Sequence, residues 1–385
     1  MNLTNFSISS LFVFLTLLGI QAQAQVDVVV STLPRISVAI TGPLGAGATE
    51  IVSADIKRTG MMTPVGGGSG DFVATGEASD AGITGRLVNK KSGAQVVSDT
   101  FTGKGRVAAH QFADAITKAV TGLPGFATSK IAFIAAAGNS KELFQADIDG
   151  FNTRQITHDG TISASPSLSH DGSKLAYTSY KSGYPDVYVI DLANGSRTRI
   201  AYYPGINTGP SFSPDGSTLA LTLSKDGNPE IYTISVGGGS EVRITRTRGA
   251  ETSPSWSPTG DRLVYSSDEP GQPQLFISSS TGITTMDHLV TGNSYCTKPD
   301  WSPDGKTIAF TTRIGGQFQI GLYNVASRTG KLITTGGGED PSWTRDSRHL
   351  LYSNHGRLYL LDVVSTQSLP LDMKASGCGE PTVSR

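Results

Sequence analysis

The sequence has little surplus charge, and this scarcity excludes two classes of direct partner. Its 31 basic and 32 acidic residues leave a net charge of −1. Proteins that bind nucleic acid or anionic membranes in general rely on surplus Lys and Arg. We therefore expect no nucleic-acid partner, and we expect any association with a membrane to run through other proteins only.

Signatures of catalysis and of metal binding are also missing. No Gly-x-Ser-x-Gly segment, which would mark a hydrolase nucleophile, occurs in the chain. The six histidines show no His-x-x-x-His or similar spacing that a zinc site would require. We expect no catalytic residues, no cofactor and no metal ligands.

Long apolar runs are scarce, and the one near the start is too short to span a membrane. It covers the 15 residues Phe6 to Ile20, whereas a spanning helix needs about 20. Ala22-Gln23-Ala24 follows and has the small-x-small form of a signal-peptidase site. We expect a signal peptide over residues 1–24 and an exported, soluble protein that starts at Gln25.

A sequence motif is repeated along the chain after residue 160. Each copy holds a proline, then an aromatic residue or Leu, then a turn pair such as Asp-Gly, and then a β-rich run. The leading prolines are 44, 44, 45 and 42 residues apart, which is the period of a four-stranded propeller blade. They are Pro166, Pro210, Pro254, Pro299 and Pro341.

Two incomplete copies indicate how the ring closes. Residues 130–157 supply three strands and lack a leading strand, whereas Glu380-Pro381-Thr382-Val383-Ser384 supplies a leading strand alone. Pairing the two avoids exposed sheet edges. We therefore predict a mainly β fold, a six-bladed β-propeller over residues 127–385 whose last blade is closed by the C-terminal strand. A small α/β domain over residues 25–126 precedes it.

The conspicuous residues of the repeat are interpreted mainly as scaffold. Aspartates of the Asp-Gly pairs could bind calcium, but the pair is the usual hairpin turn between two strands. The tryptophans Trp256, Trp301 and Trp343 hold one position in the repeat and are expected to pack between blades. Cys296 and Cys378 fall in equivalent places of alternate blades, too far apart for a disulfide, so we expect two separate thiols.

Function on a propeller is expected where loops converge on the axial channel. The residues just before each leading proline should ring that mouth, which is polar and mixed in charge and so suits a peptide or protein ligand. The candidate partner-binding residues are Ile206, Asn207, Thr208, Glu251, Thr252, Thr297, Lys298, Glu339 and Asp340.

The chain resembles the TolB family of periplasmic propeller proteins. The resemblance rests on the six-blade pattern, on Glu50 to Gly60 followed by Thr63-Pro64, and on Leu123-Pro124-Gly125-Phe126 leading into Lys130-Ile131-Ala132-Phe133. It implies a monomeric, non-enzymatic adaptor of the Tol-Pal envelope system, which serves outer-membrane integrity and cell division. A Pal-like peptidoglycan-associated lipoprotein would bind the channel mouth, and a TolA-like inner-membrane protein would bind the N-terminal region.

The resemblance also assigns residues at the mouth. Asn207 and Thr252 match positions expected to contact the lipoprotein, whereas Ile206 stands where the family often has His. Two alternatives stay open. The chain could be a similar propeller that binds another envelope protein or peptide, or a hydrolase with a channel-bound metal held by acidic residues such as Glu251, Glu339, Asp340 and Glu380.

Overall fold

The computed structural model describes residues 35–45, 47–282 and 286–385. The expected signal peptide, residues 1–24, and the N-terminal residues 25–34 lie outside the described residues. No helix in the described part of the chain has the length and apolar character needed to cross a membrane.

The N-terminal unit is a five-stranded sheet packed against two helices. Sheet order is β2-β1-β3-β4-β5, with β1 parallel to both of its neighbours and the remaining pairs antiparallel. Its elements are β1 (Ile36–Thr41), α1 (Ala48–Arg58), β2 (Met62–Val65), β3 (Phe72–Ser79), β4 (Gly82–Asn89), β5 (Gln95–Thr102) and α2 (Arg106–Thr121).

The helices form because apolar residues recur at helical spacing on the side that faces the sheet. In α1 the buried pair is Val52 and Ile56, and in α2 it is Phe112 and Ile116. Helix α2 ends at Gly122, whose left-handed φ of 77° closes the last turn. This core gives the unit the predicted α/β character.

The propeller consists of six four-stranded sheets, so the predicted fold class is confirmed. Blade 1 uses β6 (Lys130–Ala137), β7 (Ser140–Asp147) and β8 (Arg154–Gln155). Blades 2 and 3 use β9 (Ser163–Leu168), β10 (Lys174–Ser179), β11 (Asp186–Asp191), β12 (Arg197–Ala201), β13 (Asn207–Phe212), β14 (Thr218–Leu223), β15 (Glu230–Ser235) and β16 (Val242–Arg243).

The remaining strands complete blades 4, 5 and 6 and end with a strand that returns to blade 1. They are β17 (Glu251–Trp256), β18 (Arg262–Ser267), β19 (Gln274–Ser279), β20 (Asp287–Leu289), β21 (Cys296–Trp301), β22 (Thr307–Ile314), β23 (Gln317–Asn324), β24 (Thr329–Leu332), β25 (Glu339–Trp343), β26 (His349–Asn354), β27 (Arg357–Asp362), β28 (Ser368–Leu371) and β29 (Gly379–Val383).

The last strand of the chain is the innermost strand of blade 1. Strand β29 pairs antiparallel with β6, placing Val383 opposite Ile131 and Thr382 opposite Ala132. The Lys130 backbone N–H donates to Ser384 Oγ at 2.9 Å and extends this contact. The pairing removes two sheet edges that would otherwise be open.

The repeated aromatic residues join one blade to the next. Trp301 and Trp343 are fully buried, and Trp343 Nε1 donates 3.1 Å across the blade boundary to the Asp300 carbonyl. The Asp-Gly pairs form turns, as Asp171 shows by accepting hydrogen bonds from Ser169 Oγ at 2.6 Å and the Ser173 N–H at 3.0 Å. Both features therefore serve the scaffold. Cys296 and Cys378 are buried free thiols, as expected.

The N-terminal unit contacts blades 1 and 6 at the end of the ring opposite to the starts of the inner strands. Arg106 of α2 pairs with Asp149 in the β7–β8 loop, and its guanidinium carbon lies 3.9 Å from the centre of the Phe151 ring. The Phe126 ring lies 4.8 Å from that of His349 in blade 6. The opposite end of the ring, where the inner strands begin, is free of this unit in the described chain.

Candidate functional site at the channel mouth

The residue before each leading proline turns the backbone toward the propeller axis. In all six blades this residue has a left-handed φ between 48° and 62°. The pairing between the first and second strands shifts register at this point in each blade, which defines a β-bulge. The six residues form the mouth ring: Ser165, Gly209, Ser253, Lys298, Asp340 and Glu380.

A second layer lies one step deeper in the channel, at the residue after each proline. It consists of Ser167, Ser211, Ser255, Asp300, Ser342 and Thr382. Several of these side chains accept a backbone hydrogen bond from the next blade: Ser255 Oγ from the Trp301 N–H at 3.1 Å, and Asp300 Oδ2 from the Trp343 N–H at 2.7 Å. This layer is therefore bound into the ring and holds neighbouring blades in register.

Charge in the mouth ring is confined to blades 5, 6 and 1. Lys298 Nζ lies 3.8 Å from Asp340 Oδ1 and 3.5 Å from Glu380 Oε2. Burial works to lower the pKa of Lys298, but the carboxylates of Glu380 and Asp340 outweigh it and raise that pKa. Burial raises the pKa of Asp340. One lysine thus holds two carboxylates together at the entrance.

Arg385 lies across the far end of the channel. Its guanidinium pairs with Asp300 and donates to the carbonyls of Trp301, at 3.1 Å, and Trp343, at 3.2 Å. Burial, aided by Arg385, lowers the pKa of the neighbouring His170 to about 4, so His170 is neutral at neutral pH. Arg385 and His170 therefore line the end of the channel opposite the mouth.

The structure brings two of the predicted binding residues into the channel and separates the others from it. Lys298 and Asp340 belong to the mouth ring, whereas Asn207 and Glu251 are fully buried inside their blades. The other predicted residues lie around the mouth: Ile206 is exposed, and Thr208, Thr252, Thr297 and Glu339 are half-buried. The bulge explains the difference, because it directs only the residue next to the proline toward the axis.

Asn207 fixes two loops instead of facing solvent. Its Nδ2 donates to the Pro185 carbonyl at 3.1 Å and to the Tyr203 carbonyl at 2.8 Å, and its Oδ1 accepts from the Tyr203 N–H at 2.9 Å. Its amide group is therefore occupied on both sides. Asn207 can act on a partner only by positioning the loops around Pro185 and Tyr203.

Glu251 forms a buried carboxyl pair with Glu230 beneath the mouth. Ser267 Oγ donates to Glu251 Oε1 at 2.6 Å, and Thr247 Oγ1 donates to Oε2 at 2.7 Å. Arg243 Nη2 binds Glu230 at 2.8 Å. Burial raises the pKa of Glu251, and the neighbouring Glu230 adds to that rise. Glu251 is therefore the member of this pair that is suited to carry a proton.

Carboxylates that could hold a metal are mostly bound to cations of the chain. Within the channel, Asp340 and Glu380 contact Lys298, and Asp300 pairs with Arg385. Among the described residues, one further group of possible ligands brings together His110, Asp147 and Asp149 at the boundary with the N-terminal unit. There Lys130 pairs with Asp147 and Arg106 pairs with Asp149. Both places favour ion pairs of the chain itself.

The candidate partner-binding residues chosen from the sequence omitted several residues that line the channel. They are Ser165, Gly209, Ser253, Asp300, Glu380 and Arg385. Five of the six could have been identified from their position in the sequence, because they stand immediately before or after a leading proline. Arg385 carries no repeat signal, because its contact with Asp300 joins residues far apart in the chain.

Comparison with known proteins identifies a family model and several relatives that match this chain. The family model described as "TolB beta propeller domain" matches residues 117–380. The Tol-Pal system protein TolB of Bordetella avium is 34% identical over 217 residues, which are 48% of this chain and 49% of that protein. The protein of the same name in Desulfosudis oleivorans is 34% identical over 122 residues, 30% of this chain and 28% of that protein.

A solved structure matches over a longer span than these sequences do. The crystal structure of TolB from Acinetobacter baumannii has a TM-score of 0.82 with this chain at 25% identity, covering 91% of this chain and 97% of that one. The aligned part of this chain spans about half the length or less of the curated relatives named above.

Proposed function

Since this chain belongs to the TolB beta propeller family, we propose that it is a non-enzymatic adaptor of the Tol-Pal envelope system in the periplasm. In this role it binds a peptidoglycan-associated lipoprotein at the channel mouth and a TolA-like inner-membrane protein through its N-terminal region. We propose that it acts as a monomer and contributes to outer-membrane integrity and cell division. The mature chain comprises an α/β domain over residues 25–126 and the propeller over residues 127–385.

The mouth ring is the observation that carries the proposed binding site. Six residues in the same backbone conformation surround the entrance of a channel whose far end is lined by Arg385. Lys298, Asp340 and Glu380 present charge of both signs there, while Thr252 and Thr297 stand half-buried beside them. Such an entrance suits a polar loop of a protein, whose side chains can pair with both signs of charge.

The test is a calorimetric titration of the mature protein with the periplasmic domain of the peptidoglycan-associated lipoprotein from the same organism. Lys298→Glu places three carboxyl groups together at the mouth, and Thr252→Arg puts a bulky charge beside it. We expect each variant to weaken binding about tenfold or more, since Lys298→Glu reverses a charge to which the partner is fitted and Thr252→Arg fills space that the partner would occupy. Lys306→Glu is the matched control, because Lys306 is exposed in a turn at the opposite end of blade 5.

Two results separate the remaining possibilities. If the lipoprotein domain binds the parent and both variants equally well, the partner does not use this mouth. If it does not bind the parent, recovery of partners from solubilised envelope by mass spectrometry should identify the envelope protein that does. Esterase, peptidase and phosphatase assays with and without divalent metal test the hydrolase alternative, and activity lost in Asp340→Ala would support it.

A further inference from the structure

Exposed apolar side chains concentrate on the mouth side of blade 2. Five of the fifteen large exposed hydrophobic residues in the described chain lie in three successive loops there. We call them the tyrosine patch: Ile162, Tyr180, Tyr184, Tyr202 and Ile206. Tyr184 and Tyr202 are 75% and 62% exposed, which is unusual for side chains that normally bury their rings.

Hydrogen bonds between the loops make the patch one continuous surface. The Tyr180 N–H donates to the Ile162 carbonyl at 3.0 Å between the first two loops, and the Gly183 N–H donates to the Tyr180 carbonyl at 2.9 Å within the second loop. Asn207 then links the third loop by bonding the carbonyls of Pro185 and Tyr203. The patch is therefore pre-ordered, which lowers the entropy cost of binding.

Two basic side chains beside the patch, Arg199 and Lys181, are more exposed to solvent than the acidic side chains that pair with them. Arg199 lies 4.7 Å from the Tyr202 ring and is 42% exposed, but its partner Asp186 is 3% exposed. Lys181 is 38% exposed, and its partner Asp159 is 16% exposed. The outer face of the patch thus presents positive charge beside aromatic rings, a composition typical of binding hot spots.

We propose that the tyrosine patch is a second docking surface, which binds an acidic segment of a protein partner that also carries apolar side chains. Acidic groups of the segment would pair with Lys181 and Arg199, and its apolar groups would cover Tyr184 and Tyr202. The proposal goes beyond the function proposed above, because it needs no ligand in the channel and no particular lipoprotein, and only Ile206 is shared with the residues predicted to bind at the mouth.

Selection from a random dodecapeptide display library on the mature protein provides the test. Peptides that also bind the Tyr184→Ser/Tyr202→Ser variant are removed before sequencing. We expect the enriched peptides to combine net negative charge with apolar residues. Both tyrosines are largely exposed, so the variant should keep its fold, which a melting curve checks.

Fluorescence anisotropy with one labelled enriched peptide then measures each contribution. Tyr184→Ser/Tyr202→Ser should weaken binding about tenfold or more, as the selection requires, and the independent result is Lys181→Glu, which should weaken binding several-fold. Arg199 is left intact, since its removal would leave buried Asp186 unpaired.

The matched control is Val290→Ser, which removes an exposed apolar side chain in a different loop of the same face. Lys298→Glu should bind the peptide like the parent, so this test and the lipoprotein titration can fail separately.

Four outcomes would overturn the proposal. Enriched peptides could be neutral or basic, or Val290→Ser could weaken binding as much as the tyrosine variant. The parent could bind phosphatidylglycerol vesicles while the tyrosine variant does not, which would assign the patch to a lipid surface. The parent could also self-associate through the two tyrosines, which would assign the patch to a second copy of the chain.

Discussion

The two halves of the channel mouth have the same backbone conformation but differ in the charge of their side chains. Blades 2, 3 and 4 contribute the uncharged ring residues Ser165, Gly209 and Ser253, and blades 5, 6 and 1 contribute Lys298, Asp340 and Glu380. The exposed tyrosines border the uncharged half. Because the φ angles are nearly the same in all six blades, the repeat determines where these residues stand but not what they do. Differences in residue type between equivalent positions of the six blades therefore distinguish the two halves.

The largest expected effect comes from removing the strand that contributes Glu380 to the charged half. A chain lacking residues 379–385 loses the inner strand of blade 1 and the contacts of Arg385. We expect the melting temperature to fall by about 10 °C or more and the protein to associate through the open edges. Calorimetry and light scattering measure both quantities.

A shorter truncation is the control for ring closure. A chain lacking only residues 384 and 385 keeps β29 and should remain monomeric, with a smaller loss of stability. If the longer truncation melts at the temperature of the parent and stays monomeric, β29 does not close the ring in solution.

The second prediction concerns the charge pair beneath the charged half. Arg385→Ala leaves Asp300 largely buried without its cation, which should cost about 3 kcal/mol of the free energy of unfolding. Asp300→Ser installs the residue that most blades have at this position, so the double variant should recover most of that loss. Chemical denaturation of the four proteins gives the coupling energy. Additive effects of the two substitutions would contradict a direct pairing.

The third prediction uses pH to examine the junction of blades 3 and 4, in the uncharged half. Burial raises the pKa of Glu251 to about 8 in the folded chain, whereas an unfolded Glu titrates near 4.3. Between these values the folded chain binds more protons than the unfolded chain, so stability should fall as pH rises through the window. Glu251→Gln, which cannot ionise, should reduce this slope.

Melting temperatures measured from pH 5 to about 8 test this prediction. Glu269→Gln is the control, because Glu269 is exposed near the same blade and should leave the slope unchanged. A parent whose stability is constant across the window would show that Glu251 is ionised in the folded protein.

The smallest expected effect tests the shared backbone of the mouth ring. Gly209 has a φ of 62°, and a Cβ there would meet only one atom, the Ser253 backbone nitrogen, at 3.9 Å. Gly209→Ala should therefore cost only the left-handed strain, about 1 kcal/mol. Ser253→Gly, which relieves the same strain in the next blade, should change stability little or raise it. A loss above about 3 kcal/mol for Gly209→Ala would indicate a clash rather than backbone strain.

The repeat made the fold and the position of the mouth predictable, but the site only in part. Proline spacing, together with the two incomplete copies, predicted six blades and an entrance formed by residues just before each proline. It did not distinguish the residue next to the proline, which reaches the axis, from residues two or three places earlier. Asn207 and Glu251 were therefore expected at the rim, although the structure buries both. The bulge that separates these positions is a property of strand pairing, which single-residue patterns do not reveal.

The sequence by itself determined the blade period, the turn residues, the residues between blades and the family, because each depends on local chemistry that recurs along the chain. Only the tertiary structure decided which side chains meet. Lys298 joins Asp340 and Glu380, Arg385 joins Asp300, and Asn207 joins the tyrosine loops through contacts between residues that the chain order often separates widely. Closing a ring brings distant blades together around one axis, and no local pattern in the chain specifies which of their side chains will pair there.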